Sequence, residues 1–309
     1  MSFPDCLPCY ILNHFPRIFV AFEMDFLRNL PAFQKAIPQR EKFTLFLQLG
    51  WSAELPEVVR ELEERLAEAK NAFPEARFII LANAPEEVKN IKNFCEVYLA
   101  SHNAFLDPAR YPVAKAGKKK FDALYIARIT PFKRHLLAEK IENLHLIGSY
   151  SEKERAYFEE TIKHFGHAKW SQKVPSFFIG RKICEVSCGL ALSAVEGAMF
   201  ACGEYSLCGV PVVNTKNLGG RDTLLPDFAV RYAEENAESV AENVEYWVKN
   251  PIEAKEIRAG FLKLALPQKA LVQDLVNSIA GKKVYLPHKL NIRCRLLPHT
   301  KLLHGLRRK

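Results

Sequence analysis

The sequence lacks the short motifs that mark the commonest cofactor and metal sites. No Gly-x-Gly occurs in its 309 residues, which excludes the glycine fingerprint of dinucleotide-binding enzymes. The P-loop, the Gly-x-Ser-x-Gly of serine hydrolases and the His-Glu-x-x-His of zinc proteases are also absent. No Asp-x-Asp is present, although paired carboxylates are typical of Mg²⁺ and Mn²⁺ sites. We therefore expect neither a cofactor nor a metal ion.

Long apolar runs and an export signal are lacking too. No segment approaches the roughly 18 apolar residues that a membrane-spanning helix needs. The first residues include Asp5 and no basic stretch, so we expect a cytoplasmic protein.

Cysteines are scattered rather than arranged in a framework. Cys6 and Cys9 form a Cys-x-x-Cys, but no second pair follows and no strand precedes it. This favours two ordinary cysteines over a redox pair or half of a zinc site. Four others stand in apolar sequence, and we expect free, mostly buried thiols. These are Cys184, Cys188, Cys202 and Cys208.

The positive charge is concentrated at one end of the chain. The net charge is +9, and residues 286–309 contain seven Lys and Arg residues and no acid. The rest of the chain is close to neutral, so we expect no nucleic-acid partner. Two interpretations of the tail stand: contact with anionic lipid at the inner face of a membrane, or a basic end without a partner.

Strands alternate with helices along most of the chain, which predicts parallel sheets covered by helices. In the N-terminal part we expect strands at 43–48, 77–82 and 97–101, and helices near 25–35 and at 56–72 and 85–93. Pro108, Pro112, Gly117 and the lysines at 118–120 interrupt the pattern. Further strands are predicted at 122–127, 144–147, 188–193, 210–214 and 228–232, with helices at 133–141, 151–164, 199–207, 237–248, 251–264 and 268–279. The sequence thus predicts an α/β protein with domains at 1–116 and 117–285.

The segment LSAVEGAMFACGEYSLCGVPVVNTKNLGG, which begins at Leu192, carries the most informative pattern. A strand is predicted to end just before Glu196, and a helix begins near Ala198, directly after Gly197. Ligands of open α/β sheets bind at the carboxyl ends of strands, and a helix N-terminus there suits a diphosphate. We therefore expect a phosphate-binding turn at this position.

Glu204 lies eight residues after Glu196, on the same predicted helix. A carboxylate accepts two hydrogen bonds, which suits the paired hydroxyls of a ribose or a sugar ring. The alternative is that both glutamates are solvated helix residues, but Glu204 stands in mostly apolar sequence, where an acid needs a partner or a ligand. The pattern favours ligand binding.

A second strand-to-helix junction is predicted in YIARITPFKRH, which begins at Tyr125. Arg128 follows the strand and Lys133 begins the helix. Taken alone, these two residues would be ordinary surface charges. Together with the two glutamates they predict a pair of cations that neutralises a leaving diphosphate, a task that a metal ion performs elsewhere.

These motifs resemble the donor domain of retaining glycosyltransferases of the GT-B fold, family 4 type. The resemblance rests on Glu-Gly and a second Glu with seven residues between, then Gly-x-Pro-Val-Val and a Gly-Gly turn, and on the spacing of the basic pair. It covers about residues 121–280. It implies two Rossmann-like domains facing a cleft, with a small N-terminal domain on the acceptor side and a C-terminal domain that binds a nucleotide sugar.

The resemblance also implies roles for individual residues. Glu196 would lie near the transferred sugar, Glu204 would hold the nucleotide ribose, and Arg128 and Lys133 would contact the donor diphosphate. His102, directly after a predicted strand, resembles the histidine that relatives place beside the donor sugar; an ordinary loop histidine is the alternative. The remaining donor-binding positions are Gly197, Ala198, Met199, Gly219 and Gly220.

Three departures from the family pattern stand out: Glu-Gly-Ala-Met in place of Glu-Gly-Phe-Gly, Arg221 and Asp222 after the Gly-Gly turn, and a short first domain without the early Gly-Gly loop. The resemblance implies metal-independent transfer of a sugar from a UDP- or GDP-sugar to a glycan or lipid-linked acceptor, in cell-surface polysaccharide assembly. The alternative is a protein that binds a sugar nucleotide without transferring the sugar.

Overall fold

The computed structural model of the chain describes residues 6–286 and 297–298. They form two compact units. The first comprises the residues up to Leu106 and those from Leu266 onward, and the second runs from Asp107 to Ala265. The predicted boundary at 116–117 thus lies inside the second unit. The reason is that the segment after Leu106 packs there: the amide of Ala114 donates to the carbonyl of Cys208 at 2.8 Å. The tail at 286–309 falls almost entirely outside the described residues.

The first unit contains a five-stranded sheet in the order β2-β3-β4-β5-β6. β2 is antiparallel to β3, and the other neighbours are parallel. The strands are β2 (Tyr10–Asn13), β3 (Arg17–Phe22), β4 (Phe43–Gln48), β5 (Arg77–Ala82) and β6 (Glu96–Leu99). Every residue of β4 is buried, as expected for a central parallel strand covered on both faces. A separate pair, β1 (Cys6–Leu7) and β13 (Leu297–Pro298), is antiparallel.

Four helices of the first unit lie between residues 6 and 106. They are α1 (Glu23–Arg28), α2 (Leu30–Ala36), α3 (Pro56–Ala72) and α4 (Pro85–Ile91). α3 begins with a proline at its first position and buries one stripe, at Leu62, Leu66 and Ala69. The single helix predicted near 25–35 is two short helices, because the chain turns at Asn29. The sequence pattern did not predict β1, β2 or β3.

The second unit contains a six-stranded, wholly parallel sheet in the order β12-β11-β10-β7-β8-β9. Its strands are β7 (Phe121–Ile126), β8 (Leu144–Ile147), β9 (Lys169–Ser171), β10 (Val186–Ala191), β11 (Val212–Thr215) and β12 (Val230–Ala233). The chain builds outward from β7 to β9, then returns to the other side of β7 with β10. The strand order therefore reverses between the neighbouring strands β7 and β10.

Helices cover this sheet. They are α5 (Arg155–Ile162), α6 (Ser176–Ile183), α7 (Phe200–Cys208), α8 (Ala237–Lys249) and the first part of α9 (Ala254–Ala280). The two closing helices predicted at 251–264 and 268–279 are one helix with Pro267 inside it. Burial of side chains on both sides of that proline, such as Phe261 and Val272, offsets the backbone hydrogen bond that a proline removes.

The helix predicted at 133–141 is absent. Two short 3₁₀ turns, Pro131–Lys133 and His135–Ala138, take its place. Arg134 between them has φ 50°, in the left-handed region that ends a helical run. The other predicted helices and strands of the second unit are present, with ends shifted by a few residues.

Two expectations about the chain as a whole can be compared with the structure. Cys184, Cys188, Cys202 and Cys208 are free thiols as predicted, and all but Cys184 are buried; Cys9 is also free and buried. No helix among residues 6–286 has the length and apolarity required to cross a membrane.

Candidate functional site

The loops after β7 and β10 lie side by side at one edge of the second sheet. Parallel strands end at the same edge, and β7 pairs directly with β10. These are also the two strands between which the strand order reverses. Ligands of open α/β sheets bind in the crevice outside the carboxyl ends of the strands at such a point. The two segments singled out in the sequence thus meet where a ligand is expected.

Lys133 and Glu196 form an ion pair in this crevice. The ammonium group of Lys133 donates to Oε1 of Glu196, and each side chain is only 11% exposed. The Lys133 ammonium also lies 5.1 Å from the centre of the Phe132 ring. The carbonyl of Lys133 accepts a 2.6 Å hydrogen bond from the Tyr125 hydroxyl, which fixes the backbone of this turn to β7.

Backbone hydrogen bonds join the loops after β7 and β10 to each other, and they join the loop after β11 to the β10 loop. The amide of Ala194 donates to the carbonyl of Phe132 at 3.3 Å, and the amide of Glu196 donates to the carbonyl of Leu218 at 3.0 Å. The amide of Gly220 donates to the carbonyl of Gly197 at 2.6 Å. The predicted Gly-Gly turn therefore lies directly against the predicted Glu-Gly turn.

Two arginines that the sequence pattern did not single out bind the same loops. Arg134 donates from Nε to the carbonyl of Leu192 at 2.6 Å and from Nη2 to the hydroxyl of Thr215 at 2.8 Å. Arg221 is 1% exposed and donates to the carbonyl and hydroxyl of Ser193, and to the carbonyl of Thr215. A guanidinium presents five N–H groups in a planar fork, which suits several carbonyls at once.

Helix α7 follows the Glu-Gly turn and points its N-terminus at this edge of the sheet. Ala198 and Met199, just before the helix, are buried. Tyr205 anchors the helix: its hydroxyl accepts from the amide of Ile126 at 3.0 Å and donates to the carbonyl of Leu124 at 3.1 Å. Its ring packs against Gly189, where a Cβ would overlap it. The helix dipole therefore reaches the crevice from a fixed position.

Glu204 lies in the middle of α7 and is partly exposed. Its Oε1 accepts a 3.0 Å hydrogen bond from the hydroxyl of Tyr111. Tyr111 is held in turn by Arg258, whose Nη1 donates to the carbonyls of Tyr111 at 2.8 Å and Leu207 at 2.7 Å. Burial, and next the negative charge of Glu204, raise the pKa of Tyr111, which keeps its hydroxyl protonated. The sequence pattern did not predict that a tyrosine would donate a hydrogen bond to Glu204.

The remaining side chains of the β7 loop differ in exposure. Arg128 is exposed, whereas Thr130 is 3% exposed and its hydroxyl has no hydrogen-bond partner among the described residues. His135 is buried beside the ring of Tyr125. Burial, and next the charge of Lys133, lower the pKa of His135 to about 3, so this ring stays neutral at physiological pH.

His102 lies in the first unit, in the 3₁₀ turn His102–Phe105 that follows β6. It is buried, its amide donates to Oδ1 of Asn83 at 3.1 Å, and its ring meets Phe22 edge to face at 5.9 Å between centroids. The side-chain amide of Gln48 donates to the same Oδ1 at 3.3 Å. His102 thus belongs to a buried polar network at the carboxyl ends of β4, β5 and β6.

Two buried glutamates lie at the same edge of the first sheet. Glu87 accepts from the amides of Asn83 at 2.7 Å, Ala84 at 3.1 Å and Ala53 at 3.1 Å. Glu23 accepts from the amide of Gly50 at 2.7 Å. Burial raises the pKa of each carboxyl to about 7. Across the described part of the chain, no group of three or more His, Cys, Asp and Glu residues is placed to hold a metal ion.

Comparisons with known proteins give matches in structure but not in sequence. No protein-family model matches the chain, and a search of curated proteins finds no match. Among solved structures, HepE (Alr3699) of Anabaena in complex with UDP is similar with a TM-score of 0.61 and 14% identity, covering 85% of this chain and 78% of HepE. Sucrose-phosphate synthase of Thermosynechococcus elongatus gives a TM-score of 0.58 and 15% identity, covering 84% of this chain and 74% of that one.

A third solved structure is AviGT4, a glycosyltransferase involved in avilamycin A biosynthesis. Its TM-score is 0.53 at 17% identity, and the match covers 84% of this chain and 88% of AviGT4. These structures are GT-B glycosyltransferases. At such low identity the likeness concerns the fold, and it agrees with the two sheets described above, the first mostly parallel and the second wholly parallel. The chain therefore has the α/β fold of the GT-B glycosyltransferases, with two Rossmann-like parallel-sheet domains.

Proposed function

We propose that this protein transfers a sugar from a nucleotide-sugar donor to a glycan or lipid-linked acceptor, with retention of configuration and without a metal ion. The observation that carries the proposal is the meeting of Lys133 and Glu196 at the reversal point of the second sheet. The sequence resemblance gives these two positions to the donor diphosphate and the donor sugar. The second unit would accordingly bind the donor, and the first would serve the acceptor.

The diphosphate would bind at the β7 loop and the N-terminus of α7. Lys133 and Arg128 supply positive charge there, and the helix dipole adds to it. The buried hydroxyl of Thr130 is a donor that a phosphate oxygen would satisfy. The turn Gly197, Ala198 and Met199 would contribute backbone N–H groups, with Gly219 and Gly220 beside it. Glu204 would accept hydrogen bonds from the ribose hydroxyls.

In the reaction, the acceptor oxygen would bond to the anomeric carbon on the face from which the diphosphate departs. The bond between that carbon and the diphosphate oxygen breaks, and the acceptor proton passes to the departing phosphate. Lys133 and Arg128 stabilise the charge that grows on this phosphate. Glu196 holds Lys133 in place and lies near the transferred sugar. The role that the resemblance gives to His102 stays a prediction.

UDP is the nucleotide that the comparisons favour, because HepE was solved with UDP and with UDP-glucose. A thermal-shift screen against UDP, GDP, ADP and their sugars tests this, since a ligand that binds only the folded state raises the melting temperature by mass action. We expect a shift with UDP and a UDP-sugar that exceeds the shift with ADP. No shift with any nucleotide would contradict the proposal.

The second candidate function is binding of a sugar nucleotide without transfer of the sugar. It is favoured by the engagement of Glu204 with Tyr111 and by the Glu-Gly-Ala-Met sequence. Donor hydrolysis and transfer assays separate the two functions. Saturable nucleotide binding with neither activity, across glycan and lipid-linked acceptors, would identify a binding protein.

A further inference from the structure

We infer that Arg134 is a positioning residue: it fixes the β7 loop against the loops after β10, β11 and β12 so that Lys133 and Glu196 meet. This inference rests on the proposed function only for its catalytic consequence. The positioning itself concerns contacts within the second unit. Arg134 directly follows Lys133 in the chain, and its side chain turns back toward the loops that carry Glu196 and its neighbours.

The backbone of Arg134 is held in a costly conformation. Its φ of 50° is in the left-handed region, where the Cβ of a non-glycine residue lies too close to the following carbonyl oxygen. Among the described residues that are not glycine, only Arg134 and Lys173 have a positive φ. Lys173 is exposed, whereas the Arg134 side chain is only 20% exposed. Such a conformation persists where surrounding contacts hold it, and the contacts of the Arg134 side chain do so here.

The guanidinium of Arg134 reaches three loops. Nε donates to the carbonyl of Leu192 after β10, and Nη2 donates to the hydroxyl of Thr215 at the end of β11 and, at 3.4 Å, to the carbonyl of Lys216. Nη1 forms a 2.8 Å ion pair with Glu235 after β12. One side chain thus connects the loop that carries Lys133 to the loops after β10, β11 and β12.

These contacts flank the Lys133–Glu196 pair on both sides. Leu192 precedes Glu196 by four residues, and Lys216 precedes Leu218, whose carbonyl accepts from the amide of Glu196. The β7 loop is also joined to the β10 loop by the backbone bond from Ala194 to Phe132 and by the Lys133–Glu196 pair itself. A cation that must stabilise a departing phosphate loses effectiveness when it is displaced by even 1 Å.

Arg221 does not duplicate this role. It connects Ser193 with Thr215, which joins the β10 and β11 loops, and it makes no hydrogen bond to the β7 loop among those described. Arg134 therefore supplies the connection that Arg221 leaves out, between the loop of the cation and the loop of the carboxylate.

The test uses Arg134→Gly, which suits the left-handed backbone and removes the whole side chain with its guanidinium, beside Arg134→Lys, which keeps a long cationic side chain. Lys173→Gly is the matched control, because it relieves the same backbone conformation on an exposed loop and leaves the contacts of the Arg134 guanidinium in place. Amide hydrogen exchange is measured first, in the folded protein. In Arg134→Gly we expect the amides of Ala194, Glu196 and Leu218 to exchange faster by about tenfold, while those of α8 keep their protection. The Lys173→Gly protein should exchange as wild type does at these positions.

Kinetics are measured next, as consumption of a UDP-sugar. We expect kcat to fall by about 100-fold in Arg134→Gly while KM changes by less than about threefold, with partial recovery in Arg134→Lys or on addition of guanidinium ion. Unchanged exchange and unchanged kcat in Arg134→Gly would overturn the inference. A wild-type protein that consumes no nucleotide sugar would instead contradict the proposed function, and the exchange measurement would still decide the role of Arg134.

Discussion

Lys133 and Glu196 are 63 positions apart in the sequence, yet their charged groups are in contact, and each side chain is only 11% exposed. Neither residue is on a regular helix or strand. Each follows the end of a parallel strand, and hydrogen bonds between the two loops keep them together. In a buried pair of this kind, each charged group offsets the free-energy cost of burying the other.

Removal of one partner should therefore destabilise the fold. Lys133→Met leaves the Glu196 carboxylate buried and unpaired, and we expect a loss of about 3–5 kcal/mol in the free energy of unfolding. The double variant Lys133→Met, Glu196→Met should recover most of that loss. Denaturant unfolding curves measure both. The exposed pair Lys140 and Glu238 is the control, and Lys140→Met should leave the free energy of unfolding almost unchanged. Equal losses at the two pairs would contradict the assignment of a buried ion pair.

Glu204 should be essential for nucleotide binding. Glu204→Ala should abolish transfer and remove most of the thermal shift that UDP produces, because the ribose hydroxyls lose their acceptor. Tyr111→Phe, which takes away only the hydroxyl that donates to Glu204, should retain nucleotide binding. Glu242→Ala, on the exposed face of α8, should leave both properties unchanged. Undiminished turnover by Glu204→Ala with a competent acceptor would refute the role given to this residue.

Close packing of α7 on the sheet depends on Gly189. In Gly189→Ala the added methyl would overlap the ring of Tyr205, and we expect a loss of about 1–3 kcal/mol in the free energy of unfolding. Gly166→Ala is the matched control, because open space surrounds that position. Thermal or urea unfolding of the two variants measures the difference. Similar stabilities would show that Tyr205 moves aside at little cost.

The stability of the first unit should depend on pH through Glu23. Burial raises the pKa of this carboxyl to about 7, so between its ordinary pKa and 7 the folded chain holds a proton that the unfolded chain has released. Its contribution to stability therefore falls as pH rises toward 7 and is lost above that value. Glu23→Gln stays neutral and keeps an acceptor for the amide of Gly50.

We expect the free energy of urea unfolding to decline less in Glu23→Gln than in wild type as pH rises from about 5 to about 8. Glu68→Gln, on the exposed face of α3, should follow the wild-type curve. Parallel curves for wild type and Glu23→Gln would mean that the folded and unfolded chains bind this proton equally.

Much of the fold could be predicted from the sequence because local and global preferences agree. The strand Phe43–Gln48, the helix Pro56–Ala72 and the strand Arg77–Ala82 have the predicted bounds to the residue. Buried parallel strands read as apolar runs, and a proline marks the start of the helix. The prediction of a helix at 133–141 was wrong because tertiary contacts determine the backbone there. The guanidinium of Arg134 holds its own backbone in a conformation that interrupts a helix.

The candidate site could be predicted in part. Of the four side chains expected from the motifs, Arg128, Lys133 and Glu196 lie in loops after strands of the second sheet and Glu204 lies on helix α7, and the structure brings Lys133 and Glu196 into contact. Arg221 and Tyr111 carry no local signal, since an arginine after a glycine pair and a tyrosine before a proline are common on surfaces. Their roles arise only when distant segments meet, which a single sequence does not record.

Helix α9 begins in the second unit and ends in the first, where Gln268 accepts a 2.8 Å hydrogen bond from the amide of Ser101, next to His102. A chain emerging from the ribosome at about 5–20 residues per second presents the strands of the first unit early. The segment from Leu266 that completes that unit emerges only after the entire second unit has been made. The order of synthesis thus delays the final state of the first unit, and a gene truncated after the second unit would leave the turn at Ser101 without this partner.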